Sequence, residues 1–169
     1  MGKKTALFES NAHPGLTNRW LSRFVSYSFI NFEVSKKAMK NGVVVGMPIR
    51  TGLVPMKRTK HDRLRVLVFG GSQGARGINT VVQEAIGRGG DWLSKVEIVH
   101  QIGSRDFANI NEKYKAMKLP TAAKVQWLEF LYDMPVRYAW SDIVVCRSGA
   151  STVAELAACK KTAVLIPFA

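Results

Sequence analysis

The sequence predicts an α/β fold built on a doubly wound parallel sheet, and three observations carry that expectation. From Leu64 onward, short apolar runs alternate with segments of helical periodicity: strands over 65–69, 95–100, 124–128, 142–146 and 162–166, helices over 75–87, 105–117, 133–140 and 151–159. Two of the strands stop at small-residue turns that open a helix, Phe69-Gly-Gly-Ser-Gln-Gly-Ala-Arg76 and Cys146-Arg-Ser-Gly-Ala-Ser151. The composition, 47% hydrophobic and 22% charged, is that of a packed chain. Strands joined through helices pair in parallel and are covered on both faces, and such sheets bind ligands at the carboxyl ends of their strands.

The earlier part of the chain is less regular. Residues 5–9 read as a short strand, and Asn11-Ala-His-Pro-Gly15 as a turn into a helix that carries Leu16, Trp20, Leu21 and Phe24 at helical spacing. Aromatic and β-branched residues over 24–32 suit a second strand, 33–40 a short polar helix, and 43–50 a third strand ended by Gly46 and Pro48. The stretch after Thr51 is polar, basic and punctuated by Pro55, which gives a division into 1–55, a linker over 56–64 and a second domain over 65–169. Three short strands with little helix are too few to close a core. The first piece is therefore expected to be the trailing part of a domain, and the second to be incomplete at its C-terminus.

The net charge of +13 calls for an anionic partner: nucleic acid, an anionic membrane surface or a phosphorylated substrate. Basic residues crowd the N-terminal part, among them Arg19, Arg23, Lys36, Lys37, Lys40 and Arg50. No apolar run approaches the roughly 18 to 20 residues of a membrane span, and the start lacks the apolar core of a secretion signal, so a cytoplasmic location is expected. Cys146, at a strand end, and Cys159, in a helix, are expected as buried thiols, not as a disulfide or metal site. His13, His61 and His100 show no metal-ligand spacing, and His100 at a strand end reads as a loop-orienting group.

Two readings fit each turn. Gly70, Gly71 and Gly74 allow a sharp bend and close approach to an anion in front of a helix start, or serve only to join strand and helix. In the second turn Ser148, Gly149, Ala150 and Ser151 offer backbone donors, and Glu155 is placed to accept from a pair of sugar hydroxyls. Thr152 and Glu155 also fit a capping box that serves only the helix. Arg147 suits a phosphate or a nearby carboxylate equally.

The first turn, with His100-Gln-Ile-Gly103, Glu129-Phe-Leu-Tyr-Asp-Met134, Tyr138-Ala-Trp-Ser-Asp142 and Cys146-Arg-Ser-Gly-Ala-Ser-Thr-Val-Ala-Glu155, resembles the MurG family. The earlier segments Glu9-Ser-Asn-Ala-His-Pro-Gly-Leu-Thr-Asn-Arg-Trp-Leu21 and Val45-Gly-Met-Pro-Ile-Arg-Thr51 match it in the same order. The resemblance implies a GT-B glycosyltransferase, inverting, with no cofactor and no bound metal. It would transfer N-acetylglucosamine from UDP-GlcNAc to a lipid-linked muramoyl-pentapeptide at the cytoplasmic face of the bacterial inner membrane. It also implies positions: Ser72 near the diphosphate with Gly71, Gln73 and Gly74 around it, Arg50 neutralising charge, and Leu131 meeting uracil through its backbone. Ala150, Ser151, Thr152 and Val153 would border nucleotide and sugar, with Arg147, Ser148 and Gly149 in support. Glu155 would hold the ribose hydroxyls and Asn11 would face the donor sugar.

The departures define what is missing. The family's first glycine-rich turn, with the histidine proposed as general base, has no counterpart, nor do the glutamines that follow Pro167-Phe168 in the family; Phe8, Ser10 and Met47 replace usual residues. Little or no transferase activity is expected of these residues alone, and a non-catalytic UDP-sugar binder is the alternative. A nucleic-acid binder rests on charge only and has no motif behind it. A dinucleotide oxidoreductase lacks the acidic residue expected after the turn. Trp20, Phe24, Tyr27 and Phe29, with Arg19 and Arg23, suit either an anionic membrane surface or, the reading preferred from the sequence, a packed helix face.

Overall fold

The computed structural model describes residues 3–55 and 60–167. The chain divides into two compact units, Met1–Arg50 and Thr51–Ala169. This division falls ahead of the expected linker over 56–64, of which 56–59 lie outside the described residues.

The first unit contains β1 (Ala6–Glu9), α1 (Leu16–Leu21), β2 (Tyr27–Ile30), a 3₁₀ turn over Glu33–Lys37 and β3 (Gly42–Val44). Its strands form a parallel sheet in the order β1-β2-β3. Helix α1 stops earlier than the apolar spacing to Phe24 suggests. Just past its end the Ser22 hydroxyl donates to the Arg19 carbonyl at 2.8 Å, a local bond that competes with continued helix. Strand β3 is likewise shorter than the expected 43–50, because Gly46 adopts φ +75° and Pro48 has no N–H to give to a ladder.

The second unit contains β4 (Leu64–Phe69), α2 (Arg76–Gly87), β5 (Val96–Gln101), α3 (Phe107–Ala116), β6 (Lys124–Leu128), α4 (Met134–Trp140), β7 (Ile143–Arg147), α5 (Ala150–Ala158) and β8 (Thr162–Ile166). The five strands pair in parallel in the order β6-β5-β4-β7-β8. This is the doubly wound sheet the alternation predicts. Leu67, Phe69, Val144 and Cys146 pack on one face with Tyr138 of α4 and Leu156 of α5. Val68 and Ile98 pack on the other with Ile78 and Ile86 of α2 and Ile110 and Tyr114 of α3. Strands buried on both faces appear in sequence as unbroken apolar runs, which is why their bounds were legible. A 3₁₀ turn over Asp91–Ser94 was not foreseen; it buries Leu93 and is entered through Gly90 at φ +117°.

From β4 the chain winds outward to β5 and β6, then returns to the other side of β4 with β7 and β8. The switch point of the sheet therefore lies beside β4.

Candidate functional site

The strand register sets the two turns side by side. Phe69 stands opposite both Cys146 and Gln101, so β4 and β5 end level at the carboxyl edge and β7 runs one residue further. In the first turn Gly71 and Gly74 adopt φ +92° and +78°, and the Gly74 N–H donates to the Gly71 carbonyl at 2.9 Å. A Cβ on Gly74 would lie 1.9 Å from the Ile102 carbonyl oxygen, and one on Gly103 would lie 2.2 Å from the Gly74 nitrogen. The loop after β5 is pressed against the first turn so closely that only glycine fits on either side.

Helices α2 and α5 start on Ala75 and Gly149, and neither N-cap makes a side-chain hydrogen bond. Their first-turn N–H groups and the positive ends of their dipoles are directed beyond the sheet edge, an arrangement suited to anions. A hollow of about 500 Å³ opens beside the first turn, lined by Ser72, Gln73, Ser104, Leu128, Glu129, Phe130 and Tyr132. Of the site residues read from the sequence, this hollow brings together Ser72 and Gln73. Leu131 has its side chain in the core, which leaves its backbone as the part that can meet a ligand.

Beneath the first turn lies a buried polar network that the sequence did not reveal. His100, fully buried, shares one ring nitrogen with the Tyr114 hydroxyl at 2.8 Å and the other with Asn79 Oδ1 at 3.1 Å. The Asn79 amide donates in turn to the Ile102 carbonyl at 2.9 Å and to Asp106 at 3.2 Å. Because the amide nitrogen is used in this way, Asn79 Oδ1 accepts from His100 Nε2–H and the tyrosine hydroxyl donates to Nδ1. Burial holds the His100 ring neutral, with its pKa lowered to about 4, and pushes the Tyr114 hydroxyl well above its ordinary value. His100 thus orients loops, as its position suggested. Gln101, also buried, donates from Nε2 to the Gly71 carbonyl at 2.9 Å.

The second turn corrects one sequence reading. Helix α5 begins at Ala150, ahead of Thr152, so Thr152 is inside the helix and cannot be its N-cap. The Glu155 carboxylate, 8% exposed, instead accepts a hydrogen bond from the buried Tyr138 hydroxyl at 3.0 Å. Desolvation, reinforced by the Glu155 charge, raises the Tyr138 pKa, so its hydroxyl stays protonated and donates. Ser148, Gly149, Ser151 and Val153 are exposed and Ala150 and Thr152 half-buried. Arg147 donates to the Pro167 carbonyl, a partner neither sequence reading anticipated. Burial pushes the Cys146 thiol up to about 11.

Asn11 and Arg50 belong to the first unit, both exposed. Asn11 sits in a turn organised by Glu9, whose carboxylate accepts from the Asn11 N–H at 2.8 Å, Asn11 Nδ2 at 3.1 Å, the Gly15 N–H at 3.1 Å and Asn18 Nδ2 at 2.9 Å. Burial alone would raise the Glu9 pKa, but these donors outweigh it and hold the carboxyl below its ordinary value. The preferred reading of the aromatic segment also fails in part. Helix α1 buries none of its residues, Trp20 being 61% exposed, and Phe24 beyond its end is 68% exposed. Beside it lies a hollow of about 640 Å³ lined by Arg19, Trp20, Arg23, Lys36, Lys37 and Lys40, among others. Among the described residues no helix is long and apolar enough to cross a membrane, and no group of three or more His, Cys, Asp or Glu is placed to hold a metal.

An open parallel sheet whose switch point is flanked by two helix-opening turns makes the second unit a Rossmann-like α/β domain. Residues 65–169 match the glycosyltransferase family 28 C-terminal domain, and the chain belongs to that family. The UDP-N-acetylglucosamine--N-acetylmuramyl-(pentapeptide) pyrophosphoryl-undecaprenol N-acetylglucosamine transferase of Bdellovibrio bacteriovorus is 42% identical over 172 residues, covering 99% of this chain and 47% of that protein. The identically named protein of Myxococcus xanthus is 42% identical over 173 residues, covering 99% of this chain and 44% of that protein. The crystal structure of Acinetobacter baumannii MurG matches with a TM-score of 0.69 at 28% identity, over 99% of this chain and 46% of that one. The chain thus spans about half the length of the relatives it matches.

Proposed function

We propose that this chain carries the donor-nucleotide half of a glycosyltransferase of peptidoglycan synthesis and binds UDP-N-acetylglucosamine at the carboxyl edge of its second unit. The observation that carries the reading is the pair of helix starts, α2 and α5, reached from adjacent strands through glycine-bearing turns without capping side chains. The leaving group of the transfer is UDP, whose growing negative charge is stabilised by N–H dipoles already fixed in place.

In this reading the diphosphate lies over Gly71, Ser72, Gln73 and Gly74, with Arg147, Ser148 and Gly149 bordering it. Uracil meets the Leu131 backbone, Ala150 to Val153 line the path to the sugar, and Glu155 accepts from the ribose hydroxyls. Asn11 and Arg50 lie in the first unit, which is read as part of the acceptor and membrane-facing domain. The acceptor is a lipid-linked muramoyl-pentapeptide, whose hydroxyl attacks the anomeric carbon and gives its proton to a base as UDP departs with the bonding pair. The role proposed for these residues alone is to hold the donor. Exposed Leu16, Trp20 and Phe24 beside the basic hollow support peripheral contact with anionic lipid at the cytoplasmic face of the inner membrane.

Calorimetric titration with UDP-GlcNAc, UDP-glucose and UDP, followed by an assay on the lipid acceptor, tests the proposal. Saturable binding of UDP and UDP-GlcNAc without turnover is expected. Binding that UDP cannot compete, or that falls steeply with salt on a nucleic acid, contradicts it.

A further inference from the structure

We infer that Gln101 is a positioning residue that turns the Ser72 backbone N–H outward, toward the anion held by the first turn. The inference rests on the reading of that turn as a diphosphate site. Gln101 is the last residue of β5 and is 3% exposed, and its Nε2 reaches across to donate to the Gly71 carbonyl at 2.9 Å. The same carbonyl accepts the Gly74 N–H at 2.9 Å, so both of its lone-pair directions are occupied from inside the turn.

The consequence follows from peptide geometry. The bond from Gly71 to Ser72 is trans, and in a trans peptide the carbonyl and the following N–H point in opposite directions. Holding the Gly71 oxygen inward therefore holds the Ser72 N–H outward, on the side where Ser72 lines the hollow. Without the glutamine donor, this peptide is tied by one hydrogen bond in a turn whose glycine, at φ +92°, has wide backbone freedom. Rotation of the peptide plane would then present an oxygen, not a donor, to the anion.

The contact cannot be replaced from elsewhere on β5. His100, the preceding residue, faces the other side of the strand, where Asn79 and Tyr114 engage it. Gln101 is thus the β5 side chain that reaches the first turn, while the His100 network and the Gly74–Gly103 approach support the turn from beneath.

Two substitutions test this in the full chain. Gln101→Met keeps the volume and removes the donor; Gln101→Glu keeps the shape and sets a carboxylate against the Gly71 carbonyl. NMR titration, which reads weak affinities, would follow UDP and uridine separately. The expected result is a loss of about tenfold in UDP affinity for each variant, the size of one hydrogen bond to a charged group, with uridine affinity unchanged. Equal loss for UDP and uridine, or no loss for either, overturns the inference while leaving the nucleotide site standing. Failure of the unaltered chain to bind UDP overturns the diphosphate reading and the inference together. Should neither variant fold, the unaltered chain decides. A downfield shift of the Ser72 amide proton on UDP addition supports the inference, and an unmoved one overturns it.

Discussion

A neutral histidine buried under a glycine turn ties the protein's stability to pH. The His100 pKa is about 4 in the fold, against about 6.5 for an exposed histidine. As pH falls, the unfolded chain takes up its proton first and the folded chain resists. The contribution of His100 is therefore complete above about pH 6.5 and is lost progressively as pH drops toward 4, a change on the order of 3 kcal/mol. Urea unfolding at a series of pH values should show this loss, and His100→Gln should flatten the curve over that interval. Two glycines provide a sharper contrast. Gly103→Ala forces a Cβ to 2.2 Å from the Gly74 nitrogen at φ +86° and should cost more than about 2 kcal/mol. Gly77→Ala meets nothing within 4 Å and should leave stability unchanged or raise it by up to about 1 kcal/mol. Thermal unfolding of the two variants measures the difference. Cys146 is fully buried with its thiol pushed up to about 11, so it should resist alkylation in the native chain and react after denaturation.

Elements that bury both faces announced themselves in the sequence, and the contacts between them did not. The apolar runs of β4, β5 and β7 and the glycines after β4 gave the sheet and its carboxyl-edge turn directly, because both follow from composition over a few neighbouring residues. The pairs Asn79 with His100, Gln101 with Gly71 and Tyr138 with Glu155 join residues 17 to 30 positions apart. They meet because strand register and crossover place them together, which no local spacing records. The capping-box reading of Thr152 and Glu155 failed for a related reason: the spacing is right, but α5 already begins at Ala150 and Tyr138 on another helix donates to the glutamate. Glu9 shows the same pattern at the end of β1, where one carboxylate accepts four hydrogen bonds. Glu9→Gln turns one acceptor oxygen into a donor facing other donors, and it should destabilise the first unit by about 1–3 kcal/mol. Amide exchange over residues 9–18 would report that loss locally.

At the scale of the whole molecule the charge of +13 is unevenly used. The second unit offers fixed dipoles at a sheet edge, whereas the first gathers lysines and arginines beside the exposed Trp20 and Phe24. Sedimentation with phosphatidylglycerol vesicles should therefore show binding that weakens with salt, and Arg19→Glu with Arg23→Glu should reduce it by about 1 kcal/mol per removed charge or more. Such binding should be indifferent to UDP, because the donor site is assigned to the other unit. The central claim is that two neighbouring helix starts hold one UDP-sugar. The most direct test is to follow the backbone amides of the full chain by NMR while UDP is added. The account predicts saturable shifts concentrated in residues 70–75 and 147–155, with a single dissociation constant for both segments. Shifts confined to one of the two segments, or centred in the first unit, would contradict it.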